Sequence, residues 1–205
     1  MIISDVDICN MALDHLNQRD ITSLDENTKQ AKICARWFDV TRRTLLTNLN
    51  ASFSIDRAVL PEIKNCIPIY GYEKAYALPK DCLQVLNLGS PLENELYQIE
   101  NGCFYCDKKN DKELIQIRYI KDVVDVSQYD SEFVDLFAIA LAEQICVPLT
   151  EDLEKRNMLR QLKKEKYIEC STKYGRDNRV TVVNVPRYRM SKLSPEIMDA
   201  DYQLK

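Results

Sequence analysis

Apolar residues recur along this chain with two different periods, and the changes between them divide it. Val6, Cys9, Leu13 and Leu16 fall on one face of a helix, and Ser4 with Asp7 reads as its N-cap. A first helix is expected over about 5–17. Ser23-Leu24-Asp25-Glu26 has the S-x-x-E form of a capping box. Behind it Ala31, Cys34, Phe38, Thr41 and Leu45 repeat at spacings of three and four, with Trp37 and Leu49 widening the stripe. That predicts a long amphipathic helix over about 24–49. Lys29, Lys32, Arg36, Arg42 and Arg43 lie off the stripe, as a solvated face or as contacts for an acidic partner or a phosphate backbone.

From 51 to 80 the periodicity breaks at Pro61, Pro68, Gly71 and Pro79. A long connection is expected there, available to a partner. Strand-like alternation then governs 82–88 (CLQVLNL), 96–100 and 103–106 on either side of Asn101-Gly102, and 113–121 (ELIQIRYIK). These predict an antiparallel sheet of about four strands over 82–120. Helical spacing returns at Ser131, and 133–147 is apolar nearly all round, as in a helix central to a core. Pro148 is expected to end it and Thr150 to cap a last helix over about 151–172. The fold class is therefore α+β: a bundle of about four helices over 1–172, with an inserted antiparallel sheet. Residues 173–205 lack the periodicity to fold alone and are expected as an extended C-terminal arm.

Composition narrows the chemistry. The chain has 205 residues, 45% hydrophobic and 29% charged, which is ordinary for a globular domain. Its net charge of −4 argues against a dedicated nucleic-acid binder, which usually carries a strongly basic balance. No stretch approaches the ~20 apolar residues of a membrane span. Met1-Ile2-Ile3-Ser4-Asp5 lacks the basic and apolar regions of a signal peptide, so synthesis in a reducing cytoplasm is expected. His15 is the one histidine, which argues against His-dependent catalysis, and the four glycines are isolated, which excludes glycine-rich phosphate loops. The eight cysteines are scattered. Cys103 and Cys106 form a C-x-x-C on a strand, where residues three apart point to opposite faces and cannot chelate one ion. No catalytic constellation, metal site or cofactor is expected, and the residues read as a structural or interaction protein.

The run Ile8-Cys9-Asn10-Met11-Ala12-Leu13, then Ile21-Thr22-Ser23-Leu24-Asp25-Glu26, then Ala31, Cys34, Phe38, Arg42 and Leu45 resembles the opening of tail tubular protein A. That family is the head-to-tail adaptor of short-tailed bacteriophages. Tyr76-Ala77-Leu78-Pro79-Lys80-Asp81-Cys82-Leu83, Ile117-Arg118-Tyr119-Ile120 and the Pro148-Leu149-Thr150 junction are similar in the same order, so the resemblance spans about 5–172. Two stretches depart from it. Members usually carry Gly where Asn17 sits, and an aromatic-rich W-N-F-like stretch where Asn50-Ala51-Ser52-Phe53 stands.

The resemblance implies a virion protein assembled as a ring of twelve copies between the portal and the tail tube. Such a ring would continue the DNA channel, touch passing DNA without reading its sequence, and help retain and eject the genome. Its partners would be itself, the portal protein and the tail tube or nozzle protein. The sheet is expected to form inter-subunit or tail-facing surface through Tyr105 and Tyr119, because sheet edges need covering. The arm is expected to dock on the portal or a neighbour through Arg176, Arg179, Val180, Val182, Val185, Arg187 and Arg189. Its basic residues suit an acidic surface, and Val180 to Val185 suits strand addition, ended by Pro186. The rival from another class is a DNA-binding regulator using the basic helix 155–166. A weaker third reading is a nuclease with dispersed carboxylates holding Mg²⁺.

Overall fold

The computed structural model describes residues 3–64, 71–89, 96–106 and 114–178. They form an α+β fold of four helices and two small antiparallel sheets.

Helix α1 (Asp5–Asp14) begins where its capping box places it. Ser4 Oγ accepts from the Asp7 N–H at 3.2 Å, and Asp7 Oδ2 accepts from the Ser4 N–H at 2.8 Å. The helix stops at Asp14, short of the expected 17, and the chain turns through Asn17 at a left-handed φ of 54°. Asparagine tolerates that region better than other side chains, so the chain turns here without a glycine. The return is clamped by Asn10, whose side chain donates to Ile21 O at 3.0 Å and accepts from Ile21 N at 2.9 Å.

Helix α2 (Lys29–Leu49) starts five residues later than the S-x-x-E motif predicts. That motif closes a turn of its own, with Thr22 N donating to Glu26 and Asp25 N to Ser23 Oγ. Thr28 is the true cap, its Oγ1 accepting from Ala31 N at 3.3 Å. Helix α3 (Ser131–Thr150) is capped by Asp130 and runs past Pro148, which lies inside it; the helix ends at Glu151, whose φ is 59°. Asp152, and not Thr150, caps α4 (Leu153–Asp177), accepting from Lys155 N at 2.8 Å. Thr150 instead turns its hydroxyl back to Cys146 O at 2.8 Å. Because α4 continues to Asp177, residues 173–177 are helix and not the start of an arm.

The single four-stranded sheet is replaced by two sheets of three. Strands β1 (Ile55–Val59), β3 (Cys82–Leu88) and β6 (Gln116–Lys121) form one in the order β1-β6-β3. Strands β2 (Ala75–Ala77), β4 (Tyr97–Glu100) and β5 (Cys103–Cys106) form the other in the order β2-β5-β4. Two strands thus arise from the stretch expected as a connection. The Asn101-Gly102 turn is as predicted, with φ of 50° and 73° at its two central residues, the requirement of a type I′ hairpin.

The layers stack as bundle, first sheet, second sheet. Alternation along β6 assigns its two faces. Ile120 joins the bundle core, whereas Ile117 and Tyr119 join Tyr76, Phe104 and Cys106 in a second core between the sheets. Helix α3 fills the centre of the bundle. It is the one helix among the described residues long and apolar enough to cross a membrane by length and composition, which corrects the expectation that no stretch approached this. Most of it is buried against the other helices, as a core helix requires. Phe53, directly after α2, packs edge-on against Phe133 at 5.1 Å and beside Tyr129 at 5.5 Å, so the 50–53 stretch supplies an aromatic anchor.

Candidate functional site

The basic residues that give α4 its sequence signature face two ways. Arg160 Nε and Lys163 Nζ both hold Glu143 of α3, which is only 3% exposed. Burial pushes the Glu143 carboxyl up, but the hydrogen bonds from Lys163 and Arg160 outweigh it and hold the group below the usual range. Lys166 pairs with Asp135 at 3.2 Å, and Lys173 reaches Asp130 at 3.2 Å and Glu132 at 2.6 Å. Tyr174, fully buried, donates to the same Asp130 at 2.9 Å. Much of the positive charge of 155–173 is therefore matched by carboxylates of α3 and its cap.

Arg42 behaves similarly. It is 3% exposed and bonded to Asp39 at 2.9 Å and Asp122 at 3.0 Å, while Arg43 meets the other Asp122 oxygen at 2.9 Å. The pair ties α2 to the end of β6, so Arg42 belongs to neither a solvated nor a partner-facing surface. Beside it, Trp37, Thr41, Gln144, Lys163 and Tyr167 line a cleft of about 230 Å³ between α2, α3 and α4.

The nominated contact residues separate. Arg176 is exposed in the last turn of α4. Arg179, Val180, Val182, Val185, Arg187 and Arg189 lie outside the described residues. Tyr105 is half-buried on the second sheet, on the face opposite Phe104 and Cys106, with its ring stacked near Tyr72 at 6.5 Å. Tyr119 differs from expectation. It is 4% exposed, sits in the core between the sheets, and its hydroxyl lies 3.4 Å from Asp81. Burial and the neighbouring Asp81 and Asp56 charges raise the Tyr119 phenol to about 12. Its phase along β6 turns it inward, so it is a packing residue and not an exposed contact.

Sequence reasoning passed over Arg57 and Arg118. Their strands pair with Arg57 directly opposite Arg118, and Arg118 opposite Asn87 on β3. The alternation of ELIQIRYIK does place Gln116 and Arg118 on one face; the partner row is hidden because β1 lies in a stretch whose pattern reads as a connection. These residues line a recess of about 510 Å³. Arg118 Nη2 donates to Asn178 Oδ1 at 3.2 Å, and Asn178 donates in turn to Asn50 O at 2.8 Å. The recess is thus fixed to the ends of both α2 and α4. Among the described residues, no group of three or more His, Cys, Asp or Glu side chains is placed to hold a metal ion. Cys106 is buried and Cys103 lies on the other face of β5. What the arrangement offers chemically is hydrogen-bond donors and positive charge on rigid strands, a binding surface. No protein-family model and no curated protein matches the chain.

Proposed function

We propose that this chain is a structural adaptor subunit, assembling as a ring between the portal and the tail of a short-tailed phage and continuing the DNA channel. The observation that carries this reading is the place of the sheets. They are inserted between the second and third helices of a four-helix bundle, the arrangement that the resemblance over 5–172 implies. A rigid bundle with a projecting sheet pair has two unlike faces, as a subunit making heterologous ring contacts needs. In this reading Tyr105 lies on the surface meeting a neighbour or the tail. Arg176 and the residues that follow it, Arg179 to Arg189, engage the portal or an adjacent subunit. The pairing of α4 bases with α3 carboxylates favours this over a regulator reading DNA with the 155–166 helix.

The test is assembly. Purified chain, alone and mixed with its portal, is weighed by mass photometry and imaged by negative-stain electron microscopy at physiological salt. A closed ring with a central opening, seated on the portal, is the expected result. A monomer in both samples overturns the reading.

A further inference from the structure

We infer that the recess on the first sheet is a phosphate-binding site, with Arg57 and Arg118 as its paired anion ligands. The inference goes beyond the adaptor reading and does not depend on it.

Register is the first observation. Arg57 and Arg118 are directly opposed across β1 and β6. Like charges in that relation destabilise a sheet. Among the described residues neither guanidinium has a carboxylate within ion-pair distance, so an anion bound between them would relieve that repulsion. The other arginines of this layer boundary behave differently: Arg42 and Arg43 share Asp122. Arg57 is exposed and Arg118 half-buried, and both line the recess.

The surroundings of the pair add further donors. Arg118 is steadied by its bond to Asn178, which holds one edge of the fork and leaves other N–H groups free to donate. Asn87 and Gln116 add neutral amide donors on the same wall. At Gly89 a side chain would press on Gln116, coming within 3.0 Å of its Cβ, so the absence of one keeps that wall open. A carboxylate can accept from two guanidiniums, as Asp122 does from Arg42 and Arg43, but it carries a single charge, whereas a phosphate offers more acceptor oxygens and up to two negative charges for the two arginines. The chemistry favours a phosphate over a carboxylate.

Inorganic phosphate and the phosphodiester backbone of a nucleic acid present the same oxygens, and competition separates them. The full chain is titrated calorimetrically with inorganic phosphate at constant ionic strength, and by fluorescence anisotropy with a labelled mixed-sequence duplex. Thermal melting is followed in phosphate and in chloride of equal ionic strength. Phosphate should bind and raise the melting temperature of the wild-type chain. Arg57→Gln and Arg118→Gln should each weaken phosphate about tenfold or more and abolish that rise, while Lys29→Gln, on an exposed residue at the far end of α2, should not. Arg57→Gln also removes the opposed charge, so its melting temperature in chloride should equal or exceed wild type, which separates loss of binding from loss of fold. Duplex binding that phosphate displaces and both variants weaken assigns the site to a phosphodiester; phosphate binding alone assigns it to a small phosphate; either outcome carries the proposal. Acetate binding as tightly as phosphate, or unchanged phosphate affinity in both variants, overturns it.

Discussion

The bundle and the sheets bury apolar surface on different scales. The bundle core runs unbroken from Ile8 through Phe38, Phe133 and Ile145 to Tyr174 and draws on all four helices. Among the described residues, the core between the sheets comprises Tyr76, Phe104, Ile117, Tyr119 and a few neighbours. Small cores supply little net stability once conformational entropy is counted. The sheets accordingly lean on the bundle, through Ile120 packed into its core and through Arg42 and Arg43 holding Asp122. The larger core therefore sets the frame, and the sheets depend on their attachment to it.

The most forceful way to break this comparison is to cut the same aromatic from each core. Phe133→Ala should cost about 3–5 kcal/mol and lower the unfolding midpoint of the whole molecule in urea. Phe104→Ala removes an equally buried ring. It should release amide protection in β2, β4 and β5 by hydrogen exchange while α3 stays protected. Equal loss in α3 would show the two regions to be one cooperative unit.

Next in size is the carboxylate buried in the bundle. Replacing Arg160 and Lys163 together by Met strands Glu143 without a partner, and should cost about 3 kcal/mol by urea denaturation. Adding Glu143→Leu should recover most of that loss. The same carboxyl gives the bundle a pH dependence. Its folded pKa is held below the ordinary 4.5, so its contribution is complete above that value and is lost as pH falls through the folded pKa. Unfolding free energies measured between about pH 6 and pH 3 should therefore fall less steeply in Glu143→Gln than in wild type.

The smallest effect belongs to the turn after α1. Asn17→Ala forces an ordinary side chain into the left-handed region and should cost about 1 kcal/mol. Asn17→Gly should stay within about 0.5 kcal/mol of wild type in the same melt.

The helices were legible because their apolar stripes are long and their caps local. Ser4 with Asp7 reads correctly since both bonds lie within one turn. Ser23 with Glu26 misleads because the same motif can close a free-standing turn, and nothing nearby says that Thr28 will cap instead. Pro148 misleads too, since a helix can continue past a proline, and α3 does so to Thr150. The sheets were half legible. Asn101-Gly102 dictates its hairpin locally, but β1 and β2 are short, sit among prolines, and β1 has an irregular burial pattern. Which strand pairs with which is decided across tens of residues, so the split into two sheets left no local mark. The Arg57–Arg118 row was illegible for the same reason: it exists only once β1 finds β6.

Strand β6 touches both cores, one through Ile120 and the other through Ile117 and Tyr119. That makes the chain around it sensitive to parity. Inserting or deleting one residue within the strand would exchange its faces, driving Arg118 toward the layer between the sheets and Tyr119 toward the bundle. A change of two residues keeps every side chain on its own side. Length variation among descendants of this sequence should therefore be absorbed outside 116–121, or come there in even steps.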